Sequence, residues 1–194
     1  MLRAMVFIDY QNFQCALTNY YKKQDLHSPR LDYNLLPELV CSKVKNAELV
    51  KTFLCAPKPN AFLMNDPTLK KQFDWLSALN NQRNFDVIEG EYVARPAIDG
   101  VQMDISKRET FYKEEKGTDI NIAVESITKA FNNAYDISIF MSADTDYLPI
   151  YKTLRTIGKL VVVAIVKDQY IGKLVSCIDS FVTLDKADFD TILR

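Results

Sequence analysis

Four aspartates stand where a folded core has least use for charge. Asp9 ends the apolar run Ala4-Met5-Val6-Phe7-Ile8. Asp144 and Asp146 follow a second apolar run, Ile137 to Met141, within Ser142-Ala143-Asp144-Thr145-Asp146, and Asp119 opens a helical stretch after Lys116-Gly117-Thr118. A carboxylate taken from water is costly unless it is paired or bound to metal. Oxygen-rich sites suit hard divalent cations, and Mg²⁺ is typically held by one or two carboxylates plus water and substrate phosphates. Asp9, Asp119, Asp144 and Asp146 at one edge could therefore hold one or two Mg²⁺ or Mn²⁺ ions. Such an ion activates a water and neutralises charge on a phosphodiester undergoing in-line displacement, chemistry that requires no histidine. Around them, Asn12 and Ser142 could position substrate or water, and Lys116 could contact a phosphate or stabilise the carboxylates.

Each feature also has a plainer account. An aspartate beside a helix start is commonly a cap, which would suffice for Asp119 or Asp146 taken singly. Capping does not account for Asp9 and Asp144 both following buried strands, so the combination favours a metal site. Glu125 is a secondary candidate: six residues after Asp119, at ~100° per residue, it points about a third of a turn away. Lys129 offers it an ordinary i,i+4 ion pair instead. Lys107, Arg108 and Lys113, with Arg95 nearby, form either a basic rim for RNA or a solvated charged hairpin. Tyr10 and Tyr147 could stack on a base, but packing over the helix starts is the preferred reading. The single histidine, His27, has no partner at ligand spacing and reads as a surface loop residue.

The elements that must place these residues follow from hydrophobic periodicity. Strands are expected at 4–8, 48–56, 84–90, 137–141, 160–166 and 181–184, with Pro57-Lys58-Pro59 closing the second. Helices are expected over 13–21, 31–45, 66–81, 119–131, 147–157 and, as a short piece, 170–176. The helix from Asp119 shows a stripe of Ile120, Ala123, Val124, Ile127 and Phe131, expected to be buried. Trp75 is expected in the core. Residues 91–115 break the pattern and read as a hairpin-like extension at the sheet's rim. Strands alternating with helices predict a mostly parallel sheet between helical layers, with its ligand site outside the strands' carboxyl ends.

Composition narrows the classes. A hydrophobic fraction of 48% with 25% charged residues is that of an ordinary globular chain, and 194 residues suit one core. A formal net charge of -1 gives no long-range attraction to nucleic acid, so any contact with it must rest on a local patch. Cys15, Cys41, Cys55 and Cys177 form no C-x-x-C pair, which argues against zinc and against a disulfide framework. No signal-peptide pattern opens the chain and no run approaches a membrane span, so a cytoplasmic location without membrane contact is expected. There is no G-x-G-x-x-G or P-loop. Asp9-Tyr10-Gln11 lacks the second aspartate of a haloacid dehalogenase motif, and a Toprim-like nuclease would want glutamate after its first strand.

Taken in order, Ile8-Asp9-Tyr10-Gln11-Asn12, Lys116-Gly117-Thr118-Asp119 and Ser142-Ala143-Asp144-Thr145-Asp146-Tyr147 with Pro149 resemble the NYN domain, in the branch known as LabA or DUF88, a relative of PIN-type nucleases. The resemblance runs from Asp9 to about Leu184. It implies a single domain over 1–194 with a three-layer α/β/α, Rossmann-like fold, and Mg²⁺ or Mn²⁺ held by Asp9, Asp119, Asp144 and Asp146. It also implies endoribonuclease activity on single-stranded or structured RNA, and pairing into a homodimer. The alternative it leaves open is a decayed module that binds RNA, a nucleotide or a protein partner without turnover. Two departures stand out: Ala143 occupies a position where glycine is usual, and the 91–115 segment is longer than the family's usual connection.

Overall fold

The computed structural model describes residues 1–194. The apolar runs form one seven-stranded sheet: β1 (Leu2–Asp9), β2 (Ala47–Pro59), β3 (Phe85–Pro96), β4 (Phe111–Lys116), β5 (Ile137–Met141), β6 (Leu160–Val166) and β7 (Ser180–Leu184). Their spatial order is β4-β3-β2-β1-β5-β6-β7, and only β3 and β4 pair antiparallel. Six helices complete the α/β fold: α1 (Tyr10–Lys22), α2 (Leu36–Ser42), α3 (Pro67–Ala78), α4 (Thr118–Phe131), α5 (Leu148–Thr156) and α6 (Lys186–Asp190).

Central β1 is buried on both faces, as its unbroken apolar run requires. Ala4, Val6 and Ile8 enter one apolar cluster with residues of α1 and α2, while Met5 and Phe7 enter a second with residues of α4 and α5. In the second, the Phe7 ring stacks between Phe53 and Phe140 at 5.4 and 5.2 Å.

The topology decides where a site can form. From β1 the chain builds outward on one side through β2, β3 and β4, then crosses to β1's other side for β5, β6 and β7. The carboxyl ends of β1 and β5 therefore flank the crevice at the point where strand order reverses. On one side the wall is higher. β1 ends at Asp9 opposite Cys55, while β2 continues to Pro59 opposite Tyr92, and β3 runs on to Pro96 opposite Phe111. Antiparallel β4 brings the chain back down until Lys116 faces Glu91, so that α4 begins beside the crevice.

The turn into α4 depends on two glycines. Gly117 has φ +83°, a left-handed conformation that other residues adopt only under strain. A Cβ at Gly90 would lie 3.0 Å from the Lys116 carbonyl oxygen and overlap the Thr118 hydroxyl. Residues 91–115 thus comprise the overshooting end of β3, a loop and most of β4. Leu63, Leu69, Ala94 and Phe111 form a small core under them.

Several expectations need correction. Pro57 and Pro59 do not close β2 but lie within it; β1 has already ended there, so the missing N–H groups have no ladder partner on that side. The helix expected over 31–45 shrinks to α2, because Leu31 bridges Leu193 and Pro37 occupies the first helical turn. Residues 170–176 form turns rather than a helix, and α6 was not expected. Trp75 is only partly buried, its ring 5.4 Å from that of Tyr33. His27, by contrast, lies exposed in a loop as expected.

The largest correction concerns α4. Ile120, Val124 and Phe131 are 68%, 57% and 72% exposed, whereas Thr118, Ile122, Ser126 and Ala130 face inward. The aromatic layer of Phe7, Phe53, Tyr135 and Phe140 already fills the space above the sheet, and Ser126 and Ala130 are small enough to close over it. Two polar contacts hold this rotation: Tyr135 donates its hydroxyl proton to the Ser126 carbonyl, and the Asn121 amide donates to the Glu89 carbonyl.

Candidate active site

At the crevice, Asp9 caps α1: its Oδ1 accepts the backbone N–H of Asn12 at 2.9 Å. Asp119 arrives in the first turn of α4. Asp144 follows β5, and its Oδ1 accepts the Asp146 N–H at 3.0 Å, starting a short 3₁₀ turn that leads into α5. Asp9, Asp119 and Asp144 line one cleft of about 300 Å³, together with Asn12, Cys15 and Glu115.

Tyr147 ties two of the carboxylates together. Fully buried, it carries its hydroxyl oxygen 3.0 Å from Asp9 Oδ2 and 2.7 Å from Asp119 Oδ1. Burial, reinforced by the Asp9 charge, raises its phenol far above the ordinary range, so the hydroxyl stays protonated and donates its one hydrogen to this pair. The neighbouring loops are held as firmly. The Asn12 side-chain oxygen accepts the Ala143 N–H at 3.2 Å, joining the start of α1 to the turn after β5, and Ser142 Oγ accepts the Asp144 N–H at 3.2 Å.

The cleft is short of positive charge. Asp9 is 5% exposed, and burial pushes its carboxyl up to about 6 despite the stabilising hydrogen bonds from Asn12 and Tyr147; nearby Glu115 and Asp119 add to the rise. Burial also raises the Glu115 carboxyl, with Asp119 contributing. None of Asp9, Glu115, Asp119 and Asp144 takes part in any of the chain's ion pairs. An uncompensated oxygen-rich cleft of this kind suits a hard divalent cation. No three acidic, histidine or cysteine side chains stand at spacing to ligate one ion together. The donor set thus fits an ion bound by one or two carboxylates and water, and not a closed protein cage.

The remaining sequence candidates lie outside the cleft lining. Asp146 is exposed, and Ser142 is 3% exposed behind Asp144, where it holds that residue's backbone. Lys116 Nζ lies 3.6 Å from Glu114, and Glu125 is 3.3 Å from Lys129, the ordinary ion pair that was its alternative reading. On the extension, Lys107 lies 3.8 Å from Asp104, Arg108 is bound to Asp66, Arg95 is paired with Glu114 at 2.8 Å, and Lys113 sits 5.0 Å over the Tyr92 ring. Tyr147 offers no exposed face for stacking, and Tyr10 is likewise buried, its hydroxyl accepting from the Gln72 amide. The sequence reading missed Glu115 and the hydroxyl of Tyr147. The only signal for Glu115 was its place two residues before Gly117, where a descending strand must end.

A mostly parallel sheet with carboxylates gathered at its switch point defines an α/β domain with an acidic cleft. The chain belongs to the NYN domain family, whose model matches residues 3–185. NYN domains are generally nucleases, which supports nucleic acid as the substrate class, and the family typically uses divalent metals. The fold is also similar to the crystal structure of a protein of unknown function from Vibrio parahaemolyticus. That likeness has a TM-score of 0.60 at 22% identity and covers 97% of this chain and 95% of the other. No curated protein matches the chain. No helix is long and apolar enough to cross a membrane.

Proposed function

We propose that the protein is a metal-dependent ribonuclease that hydrolyses RNA phosphodiester bonds at the cleft of Asp9, Asp119 and Asp144. The observation that carries this reading is a set of carboxylates without cationic partners at the switch point of a nuclease-family fold. Mg²⁺ or Mn²⁺ held there by one or two of Asp9, Asp119 and Asp144, together with water, would supply an activated water and neutralise charge on the scissile phosphate. The chain's own groups set the geometry: the Asn12 N–H fixes Asp9, the Tyr147 hydroxyl fixes Asp9 and Asp119, and Ser142 fixes the backbone of Asp144. Glu115, with its raised carboxyl, is suited to take the proton of the attacking water. Asp146, whose N–H closes the turn onto Asp144, lies outside the cleft lining and is left out of the proposed ligand set. The three-layer PIN-like arrangement of the family is part of this reading, supported by apolar clusters on both faces of β1.

The test is time-resolved cleavage of end-labelled RNA with Mn²⁺ by a nuclease-free preparation. Asp144→Asn is expected to slow product formation by roughly 100-fold, on the scale of losing one electrostatic stabiliser; an unchanged rate would falsify the assignment. The absence of three closely set ligands favours a second reading, a module that binds RNA without turnover. That reading predicts RNA retained intact across Mg²⁺ and Mn²⁺ titrations, and a product ladder rules it out.

A homodimer belongs to the same reading. Ile120, Val124 and Phe131, with half-buried Ile127 between the last two, form a seam on α4 that a second copy can cover by knobs-into-holes packing. Val124→Glu is expected to convert a dimer to a monomer in sedimentation equilibrium. A wild-type chain that is monomeric at the same concentration refutes it.

A further inference from the structure

The cleft continues into a second cavity whose chemistry is of the opposite sign. Asn12 and Cys15 line both, so the two form one trough along α1. The second cavity, of about 570 Å³, lies between the outer side of α1 and the loop that follows β6. Lys22 and Lys23 reach it from the last turn of α1, and Lys167 reaches it from the end of β6.

All three lysines are exposed, and none takes part in an ion pair. The one carboxylate in the lining, Asp168, leaves the cavity net positive. On the other side of the active cleft most cations are already engaged: Arg95 and Lys116 share Glu114, Lys107 lies beside Asp104 and Arg108 is bound to Asp66. Lys22 and Lys23 alone would be ordinary, since cations favour helix C-termini. Lys167 comes from a different element and converges with them.

We propose that this trough is the track for the phosphate backbone of a single-stranded nucleic acid, which runs from the acidic cleft along α1 to Lys22, Lys23 and Lys167. The proposal rests on the nuclease reading and adds the direction of the strand. Along α1, Asn12 and Lys22 are separated by about 15 Å at 1.5 Å per residue, room for a few nucleotides beyond the scissile bond. Amides supply polar contacts on the way. Asn19 lines the trough, and Gln169, its oxygen occupied by the Val166 N–H, keeps its NH₂ as a donor. Tyr170 follows, 78% exposed, with its ring against Gly172, where a Cβ would overlap it; the free face is a platform for a base. A basic groove with stacking aromatics is how single strands are held without sequence readout.

The experiment measures binding of a fluorescein-labelled 20-nucleotide polyuridine RNA by anisotropy, with Asp144→Asn as the background so that turnover does not interfere. An oligothymidine of equal length distinguishes RNA from DNA as the preferred strand. Adding Lys22→Glu, Lys23→Glu and Lys167→Glu is expected to weaken RNA binding by roughly 30-fold or more and to reduce the salt slope by about 2, at ~0.7 per phosphate contact. Lys→Gln at the same positions should give a smaller loss in the same direction, and thermal unfolding confirms that each variant folds. Lys107→Glu with Lys113→Glu, the rival track, is expected to change affinity less than threefold. Undiminished binding by the triple variant, or a larger loss in the rival pair, overturns the trough while leaving the nuclease reading intact. A background protein that binds neither oligonucleotide, from a parent that cleaves neither, overturns both.

Discussion

In the presence of a chelator at pH 7.5, Asp9→Asn is expected to unfold at a higher temperature than the parent while losing roughly 100-fold in RNA cleavage. The stability gain comes from the charge that the fold buries. Asp9 titrates at about 6 in the folded chain, above the ordinary aspartate value of 3.8. For an acid raised in this way the unfolded state ionises first, so the penalty on folding appears between pH 4 and 6 and is complete above 6. A rise of this size corresponds to about 3 kcal/mol, or roughly 6–12 °C for a domain of this length. Asparagine keeps an oxygen for the Asn12 N–H but carries no charge. The gap between variant and parent should therefore close as the pH falls from 6 to 4, and it should also narrow when Mg²⁺ or Mn²⁺ is added to the parent. A parent already as stable as Asp9→Asn at pH 7.5 without metal would show that the carboxylate carries no such penalty.

Tyr147→Phe should act in the opposite direction on the fold. The change removes only a hydroxyl, but that hydroxyl is the donor between Asp9 and Asp119, and no other side chain donates to either carboxylate. A buried carboxylate left without its donor costs about 1–3 kcal/mol, read as a lower urea midpoint. Cleavage is expected to fall 10- to 100-fold, the range for residues that orient metal ligands, with much of the loss recovered at higher Mn²⁺. A purely structural tyrosine would lower the urea midpoint without moving the metal dependence. In the Asp9→Asn background the same change should cost less, because the charge that needed the donor is gone.

The aspartates were legible because their signal is local. A charge that ends an apolar run marks the end of a buried strand, and the right-handed crossover from strand to helix places such ends along one edge. Asp9 and Asp144 needed only that rule. Asp146 follows the same pattern in sequence, but the 3₁₀ turn capped by Asp144 carries it outward. For α4 the periodicity was clear and the facing was not. Two apolar stripes compete on that helix, and the aromatic layer beneath it selects the one with Ser126 and Ala130. The basic extension stayed open for another reason: sequence shows where lysines and arginines are, but not that Asp66, Asp104 and Glu114 pair with several of them.

By itself, the sequence determined an alternating α/β chain, a mostly parallel sheet and an acidic edge, because each depends on residues near one another in the chain. Tertiary structure alone decided what surrounds those carboxylates. The overshoot of β3 and the return of β4 bring Asp119 and Glu115 down to Asp9. A tyrosine distant in sequence from Asp9 lies between two of the charges, and α1 sets a trough of free lysines beside the cleft. These arrangements depend on register, burial and pairing between segments far apart in the chain, and such long-range contacts leave no periodicity in any one of them.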